Sequence, residues 1–406
     1  MPTSRPPETP RTDDPRCHVS VGGLRLKNPL ICGSGEHTIT AAGMQALLQA
    51  GAAAVVAKSV NESEAARKQL DGTDYVLLDA AWKPLPWDFS PPPDAQLFCR
   101  SGLFPGRFED WLTMVAELDR QAAASDAYVI PSLILADLDA CIDYALRIEA
   151  AGLRVLELNI GAPHGPEAAR GAIVTERAAS RVLEITRRMR AAIGIPLWIK
   201  LTGQSEDVVA LAQAAQQGGA DAVIMMGRFL GMVPDIDTQA PLLGTSAALG
   251  GPWALALTAR WLAMTRKAAG PELPLIATNG ARSGEDIVRF LLAGACAVEM
   301  TSAVMAGGAG PAGLSQTGLV AGAVGRAAGV RAGTHSGRLA ATTAAARTLR
   351  RSGQAAGGGR AHRAGAGRLV RQRRRAVDVL SQRCRQPAQP AAENGRDHCQ
   401  PAALAE

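Results

Sequence analysis

The sequence predicts an α/β chain folded as a (β/α)8 TIM barrel, with an N-terminal hairpin, a long insertion after the second strand and a C-terminal tail. Short β-branched runs bounded by Gly, Asp or Asn recur between residues 19 and 303. Amphipathic stretches at helical spacing lie between them. Eight such alternations over roughly 280 residues are the count expected of this barrel. A doubly wound sheet built from the same units is the competing architecture.

The run Val19 to Leu26 reads as a hairpin that plugs the bottom of the barrel. Strands follow at 30–33, 53–59, 128–133, 155–159, 196–201, 222–227, 275–279 and 297–301. Helical patterns fill 138–151, 176–192, 205–217 and 283–293. The last three open on acidic residues or Ser, as capping and the helix dipole favour. Residues 61–127 are too long for a plain strand-to-helix connection, and carry a Pro-rich stretch followed by a helix near 109–123. Long loops at this end of a barrel shape its active site.

Composition divides the chain into 1–16, a polar, Pro-rich N-terminus expected to be disordered; 17–305, the barrel; and 306–406, a basic low-complexity tail. The tail holds 16 Arg, no Lys and four acids, a balance of +12, so the net charge of +6 leaves −6 on the remainder. It lacks Phe, Trp, Tyr, Ile and Met, too little apolar surface to offset the entropy of ordering. Three origins stay open: a disordered basic arm, the product of a shifted reading frame, or a nucleic-acid arm through Arg371, Arg373, Arg374 and Arg375. Nucleic-acid binding is not expected, because no aromatic is interleaved to stack on bases. The seven cysteines form no CxxC pair, which argues against a disulfide framework or a metal cluster. No apolar run reaches the roughly 18 residues of a membrane span, and the N-terminus carries no signal-like core. A soluble cytoplasmic protein is expected.

Three segments late in the barrel suit a phosphate: Gly250-Gly251, Asn279-Gly280 and Thr301-Ser302. Barrels bind phosphate at the loops after strands seven and eight, where glycine lets backbone N–H groups approach the oxygens. Lys58 and Lys200 close apolar strands, a costly position unless each meets an anion or acceptor. The pyrimidine edge of a flavin offers such acceptors.

These blocks together resemble the dihydroorotate dehydrogenase family. Asn28-Pro29-Leu30 with Gly33-Ser34-Gly35 resembles its first strand, and Ala57-Lys58-Ser59 its second-strand lysine motif. Leu158-Asn159-Ile160-Gly161-Ala162-Pro163-His164 is similar to its fourth-strand motif, the Pro-His pair leaning toward the dihydropyrimidine dehydrogenase branch. Ile199-Lys200-Leu201, Gly250-Gly251, Asn279-Gly280 and Thr301-Ser302 complete the order. The resemblance implies FMN contacts at Ser34, Gly35, Lys58, Asn159, Lys200, Gly250, Gly251, Asn279, Gly280, Thr301 and Ser302. It further implies hydride exchange between flavin N5 and a CH–CH bond of a dihydropyrimidine, the second proton moving through the loop after strand four.

Two departures mark the substrate side. Ala162 stands where the family carries Cys or Ser, and a methyl group transfers no proton. His164, Glu167 and Cys99 are the nearby candidates for that role, His having the best-suited intrinsic pKa. Met225-Met226 replaces a polar pair, which predicts a more apolar site and poor binding of orotate. Packing against the core is the other reading of those methionines.

The expected activity is an FMN-dependent oxidoreductase acting on a small, pyrimidine-like ring. The rival readings are a true dihydroorotate dehydrogenase of pyrimidine biosynthesis, a flavin-binding barrel without catalysis, and a flavin-free barrel for a phosphorylated metabolite. The partners expected are a small-molecule substrate and an electron donor or acceptor the sequence does not identify; the sequence does not fix the oligomeric state, a homodimer being one option. The lack of an N-terminal apolar helix argues against the membrane, quinone-linked form.

Overall fold

The computed structural model describes residues 17–64, 74–86, 91–161 and 178–306. The hairpin comes first: β1 (Val19–Val21) pairs with β2 (Leu24–Leu26), alternate residues buried. Gly22 turns it at φ +50°, and a Cβ there would strike the Trp198 indole, whose Nε1 donates to Gly22 O at 2.9 Å.

The barrel begins with β3 (Leu30–Cys32), α1 (Ala41–Gln49) and β4 (Ala54–Val56). The insertion then contributes β5 (Asp74–Leu78), β6 (Gln96–Arg100) and α2 (Phe108–Ala123). Next come β7 (Tyr128–Ile130), β8 (Ser132–Ile134), α3 (Leu138–Ala150), β9 (Leu156–Asn159), α4 (Ala179–Ala192), β10 (Leu197–Lys200), α5 (Val208–Gly218) and β11 (Ala222–Met225). The last units are β12 (Ala247–Gly250), α6 (Leu255–Ala269), β13 (Leu275–Thr278), α7 (Gly284–Leu292), β14 (Ala297–Met300) and the short α8 (Ser302–Ala306).

Parallel pairing runs β7-β4-β3-β14-β13-β11-β10-β9-β8. β7 and β8 are two halves of one strand, divided at Pro131, which has no N–H to give to the ladder. Joining them closes the sheet, so the architecture is the (β/α)8 barrel and not an open doubly wound sheet. The side chains of Asp137, Asp207 and Ser283 accept backbone N–H groups at the starts of α3, α5 and α7.

Strand alternation divides the core in two. Leu156 and Leu158, Leu197 and Ile199, and Val298 and Met300 face the helices. Ala54, Val56, Ile130, Trp198, Ala222, Ile276 and Ala297 fill the barrel interior with Val19, Val21, Leu24 and Leu26 of the hairpin, which plugs that end. The same alternation turns Ser132, Glu157, Lys200 and Glu299 inward, above that apolar layer.

The predicted helix at 109–123 is α2, but the insertion holds more than a loop. β5 and β6 pair antiparallel, and β6 also pairs with β12, Ala248 opposite Cys99 and Gly250 opposite Leu97. Residues read from sequence as a Gly-rich loop after strand six are thus a strand in a second sheet. Its Leu77 and Leu97 pack with Met305 and Ala306 of α8. Among the described residues no helix is long and apolar enough to cross a membrane. The N-terminus 1–16, residues 162–177 with Ala162, His164 and Glu167, and residues 307–406 of the tail lie outside the described residues.

Candidate active site

Closing the barrel gathers residues from every part of the sequence at the C-terminal ends of its strands. A cavity of about 260 Å³ lies there. Ser34 and Gly35 after β3, Lys58 after β4, Asn159 of β9 and Lys200 of β10 line it. So do Gly250 of β12, Asn279 and Gly280 after β13, and Thr301 and Ser302 after β14. Gly251 is not among the lining residues; a Cβ on it would face Gln96 and Trp253 instead. Cys99 lines the cavity from β6, the insertion strand.

Lys58 is 3% exposed and meets an acid. Its Nζ donates to Glu36 Oε1 at 2.7 Å and to Ser101 Oγ at 2.9 Å, and Ser101 Oγ donates to Glu36 Oε1 at 3.0 Å. Burial pushes the Glu36 carboxyl up, but the Lys58 charge and hydrogen bonds from Lys58, Tyr75 and Ser101 outweigh it and hold Glu36 below the usual carboxylate range. Trp111 Nε1 donates to Lys58 O at 2.9 Å, fixing the strand end from the helix side.

Lys200 pairs with two buried carboxylates, directly with Glu299 Oε1 and at 3.7 Å with Glu157 Oε2. Burial pushes Lys200 down, yet Glu157 and Glu299 together raise it above its ordinary value, so it stays charged. Glu157 is pushed up to about 7, burial acting first, Lys200 against it and Glu299 with it. One cation balances two buried anions poorly in a medium of low dielectric, so Glu157 holds its proton to higher pH than a free carboxyl.

Serines extend this cluster. Ser132 Oγ donates to Glu157 Oε1 at 2.8 Å, Ser59 Oγ lies 2.9 Å from Ser132 Oγ, and Ser34 Oγ lies 3.0 Å from Ser59 Oγ. Ser34 and Ser59 both line the cavity.

The wall toward β13 and β14 is built for close approach. A Cβ on Gly250 would come within 2.9 Å of Ser302 Cβ, and Gly280, at φ +111°, would press one to 2.5 Å from Leu255 N. Asn279 Oδ1 is buried without a hydrogen-bond partner among the described residues. The donors on this wall can hold an anion such as phosphate. Among the described residues no group of three His, Cys, Asp or Glu stands close enough to hold a metal ion.

The remaining sequence candidates fall as follows. Burial first, then Glu36, pushes the Cys99 thiol up to about 12, so it meets the cavity protonated. Met225 and Met226 are fully buried in the core and do not line the cavity, which corrects the expectation of an apolar wall there. The next residues, Gly227 and Arg228, line it instead, and Arg100 faces it from β6. Sequence reasoning missed Glu36, Ser59, Ser101, Ser132, Glu157 and Glu299. For Glu157 and Glu299 a signal existed, because each stands at an inward position of an otherwise apolar strand.

The sequence model of the dihydroorotate dehydrogenase family matches residues 111–312. Dihydroorotate dehydrogenase A (fumarate) of Lactobacillus helveticus is 35% identical over 167 residues, 41% of this chain and 53% of that protein. The chain thus spans about half the length of that relative. The catalytic subunit of dihydroorotate dehydrogenase B (NAD(+)) of Methanocella arvoryzae is 30% identical over 290 residues, 70% of this chain and 86% of that subunit. Its counterpart in Methanosarcina mazei is 29% identical over 290 residues, 70% of this chain and 83% of that subunit.

Proposed function

The chain belongs to the dihydroorotate dehydrogenase family, and we propose that it is an FMN-dependent oxidoreductase acting on a CH–CH bond of a small, pyrimidine-like ring. The observation that carries this reading is the convergence, on one cavity, of Ser34, Gly35, Lys58, Asn159, Lys200, Gly250, Asn279, Gly280, Thr301 and Ser302. These residues fit FMN. The space between Gly250 and Ser302, which a Cβ would fill, suits the phosphate. The orphan acceptor Asn279 Oδ1 suits a ribityl hydroxyl. Lys58 and Lys200 supply cations for the polar edge of the ring system. Bound FMN supplies hydride exchange at N5.

The chain's own groups do the rest. Lys200 stays charged beside Glu299 and would offset negative charge on a bound flavin. Lys58, held by Glu36 and Ser101, presents a fixed ammonium to the cavity. Arg100 and Arg228 line the wall, and guanidinium groups suit a ring bearing a carboxylate. That observation, with the names of the relatives, favours dihydroorotate itself as the second reading, even though Ala162 lacks a transferable proton. His164 and Glu167, from the same loop, are the proposed proton-transfer groups of that segment, and Cys99 serves only as a neutral thiol. The barrel, residues 17–305, carries the whole proposed site, in a cytoplasmic setting.

The deciding experiment is the visible spectrum of protein purified without added cofactor, with identification of what denaturation releases. A yellow protein releasing FMN near one equivalent supports the reading; a colourless protein that takes up no added FMN overturns it. Turnover of L-dihydroorotate with fumarate or NAD+ as acceptor then separates the dihydroorotate reading from a different ring.

A further inference from the structure

A proton that leaves the cavity needs a path and a resting place, and the methyl group of Ala162, at the family's position, offers neither. Four side chains from four different barrel segments supply both. Ser132 Oγ donates to Glu157 Oε1 at 2.8 Å. A hydroxyl has one proton, so while Glu157 is ionised and accepts from Ser132, the 2.9 Å contact between Ser59 and Ser132 has Ser59 as donor and the 3.0 Å contact between Ser34 and Ser59 has Ser34 as donor. Ser59 N–H donates back to Ser34 Oγ at 3.1 Å, which leaves the second lone pair of that oxygen for the cavity. With Glu157 ionised, every hydroxyl in the row therefore points toward it.

We propose that Ser34, Ser59 and Ser132 form a proton relay from the cavity to Glu157, the buried carboxyl that stores the proton released when substrate is oxidised. The proposal rests on the FMN reading above for its direction. The substrate C–H bond that breaks as an acid delivers its proton to Ser34 Oγ. Ser34 passes its own proton to Ser59, Ser59 to Ser132, and Ser132 to Glu157 Oε1, which becomes a neutral acid. Bound FMN would accept the hydride from the adjacent carbon, so both hydrogens leaving the substrate would be accounted for. In the reducing direction the same row runs backward.

The surroundings of Glu157 suit a store. Lys200 faces it from β10 and Glu299 from β14, and the Cys32 thiol of β3, pushed up to about 12 by burial and by Glu299, stays neutral behind them. With Glu157 protonated, Lys200 and Glu299 form a neutral pair; with Glu157 ionised, the cluster carries one negative charge. Its pKa of about 7 places that exchange at neutral pH.

The test is infrared spectroscopy of the full-length protein, as purified, across pH 5 to 9, with Glu157→Gln, Ser132→Ala and Ser132→Thr. Wild type should show a protonated-carboxyl band that disappears as pH rises through neutrality, and Glu157→Gln should lack it. Ser132→Ala should keep the band but exchange its proton for deuterium about tenfold more slowly, one link of the row being lost. Ser132→Thr, which restores a hydroxyl, should recover the wild-type exchange rate. No titrating band in wild type, its persistence in Glu157→Gln, or wild-type exchange in Ser132→Ala overturns the relay. The failure of the flavin reading looks different: it is a protein without FMN, in which the infrared bands are still read.

Discussion

Replacing Glu157 by Gln removes one of two carboxylates that share Lys200, and its effect on stability should depend on pH. The folded protein raises the Glu157 pKa from 4.5 to about 7, burial being the largest cause. Between those values the folded chain binds a proton that the unfolded chain releases. Stability from this residue is therefore complete below pH 4.5 and lost as pH rises through 7. At about 1.4 kcal/mol per pH unit, the loss amounts to roughly 3 kcal/mol. Glutamine keeps the neutral shape and escapes the penalty. The variant should match wild type within about 1 kcal/mol at pH 4.5 and exceed it by roughly 3 kcal/mol at pH 8. Urea unfolding of both proteins at each pH, followed by tryptophan fluorescence, measures this. Taking the difference between the proteins matters, because His37, which burial holds down near 4, titrates in the opposite sense and masks the trend in wild type alone. A stability difference that stays constant from pH 4.5 to 8 would refute the claim that Glu157 carries a proton in the fold.

Lys200→Met leaves Glu157 and Glu299 without their cation and should cost about 3–5 kcal/mol at pH 8, less at pH 5 where a carboxyl is neutral, as read by the same unfolding curves. An equal loss at both pH values contradicts the charge argument. Arg154→Ala strands Asp119, 4% exposed and now held by Arg154 at 2.6 and 2.8 Å, and should likewise cost about 3–5 kcal/mol. A loss below about 1 kcal/mol would show that the Val129 N–H alone satisfies that carboxylate. Gly280→Ala forces a side chain onto a φ of +111° with its Cβ 2.5 Å from Leu255 N. It should cost about 1–3 kcal/mol and lower the thermal midpoint. If FMN occupies the cavity, that variant should also purify with less of it, and an unchanged melt together with full FMN content would count against the close packing of this turn.

Much of the fold was legible because barrel strands carry a local signal. The eight β-branched runs and the acidic or Ser caps at Asp207 and Ser283 are contained in a few consecutive residues each. The insertion was legible only in part. Its helix α2 is amphipathic and so declares itself, whereas β12 pairs with β6 across about 150 residues and reads locally as Gly-rich loop. The methionines after β11 show the same limit. Their chemistry suggested a cavity wall, but their burial depends on which way the chain turns after the strand.

Sequence by itself determined the α/β alternation, the family, and the residues at strand ends that now meet around one cavity. What only the tertiary structure decided is how the inward side chains pair. Glu157, Lys200 and Glu299 stand 43 and 99 residues apart along the chain, and Ser34, Ser59, Ser132 and Glu157 are separated by 25, 73 and 25. Each looks like an ordinary polar residue in its own segment. Strand alternation says that such a residue faces inward, but not which others share its layer. That layer is fixed by the register of eight strands and by closure of the barrel at Pro131, properties of the whole sheet that no single stretch of sequence contains.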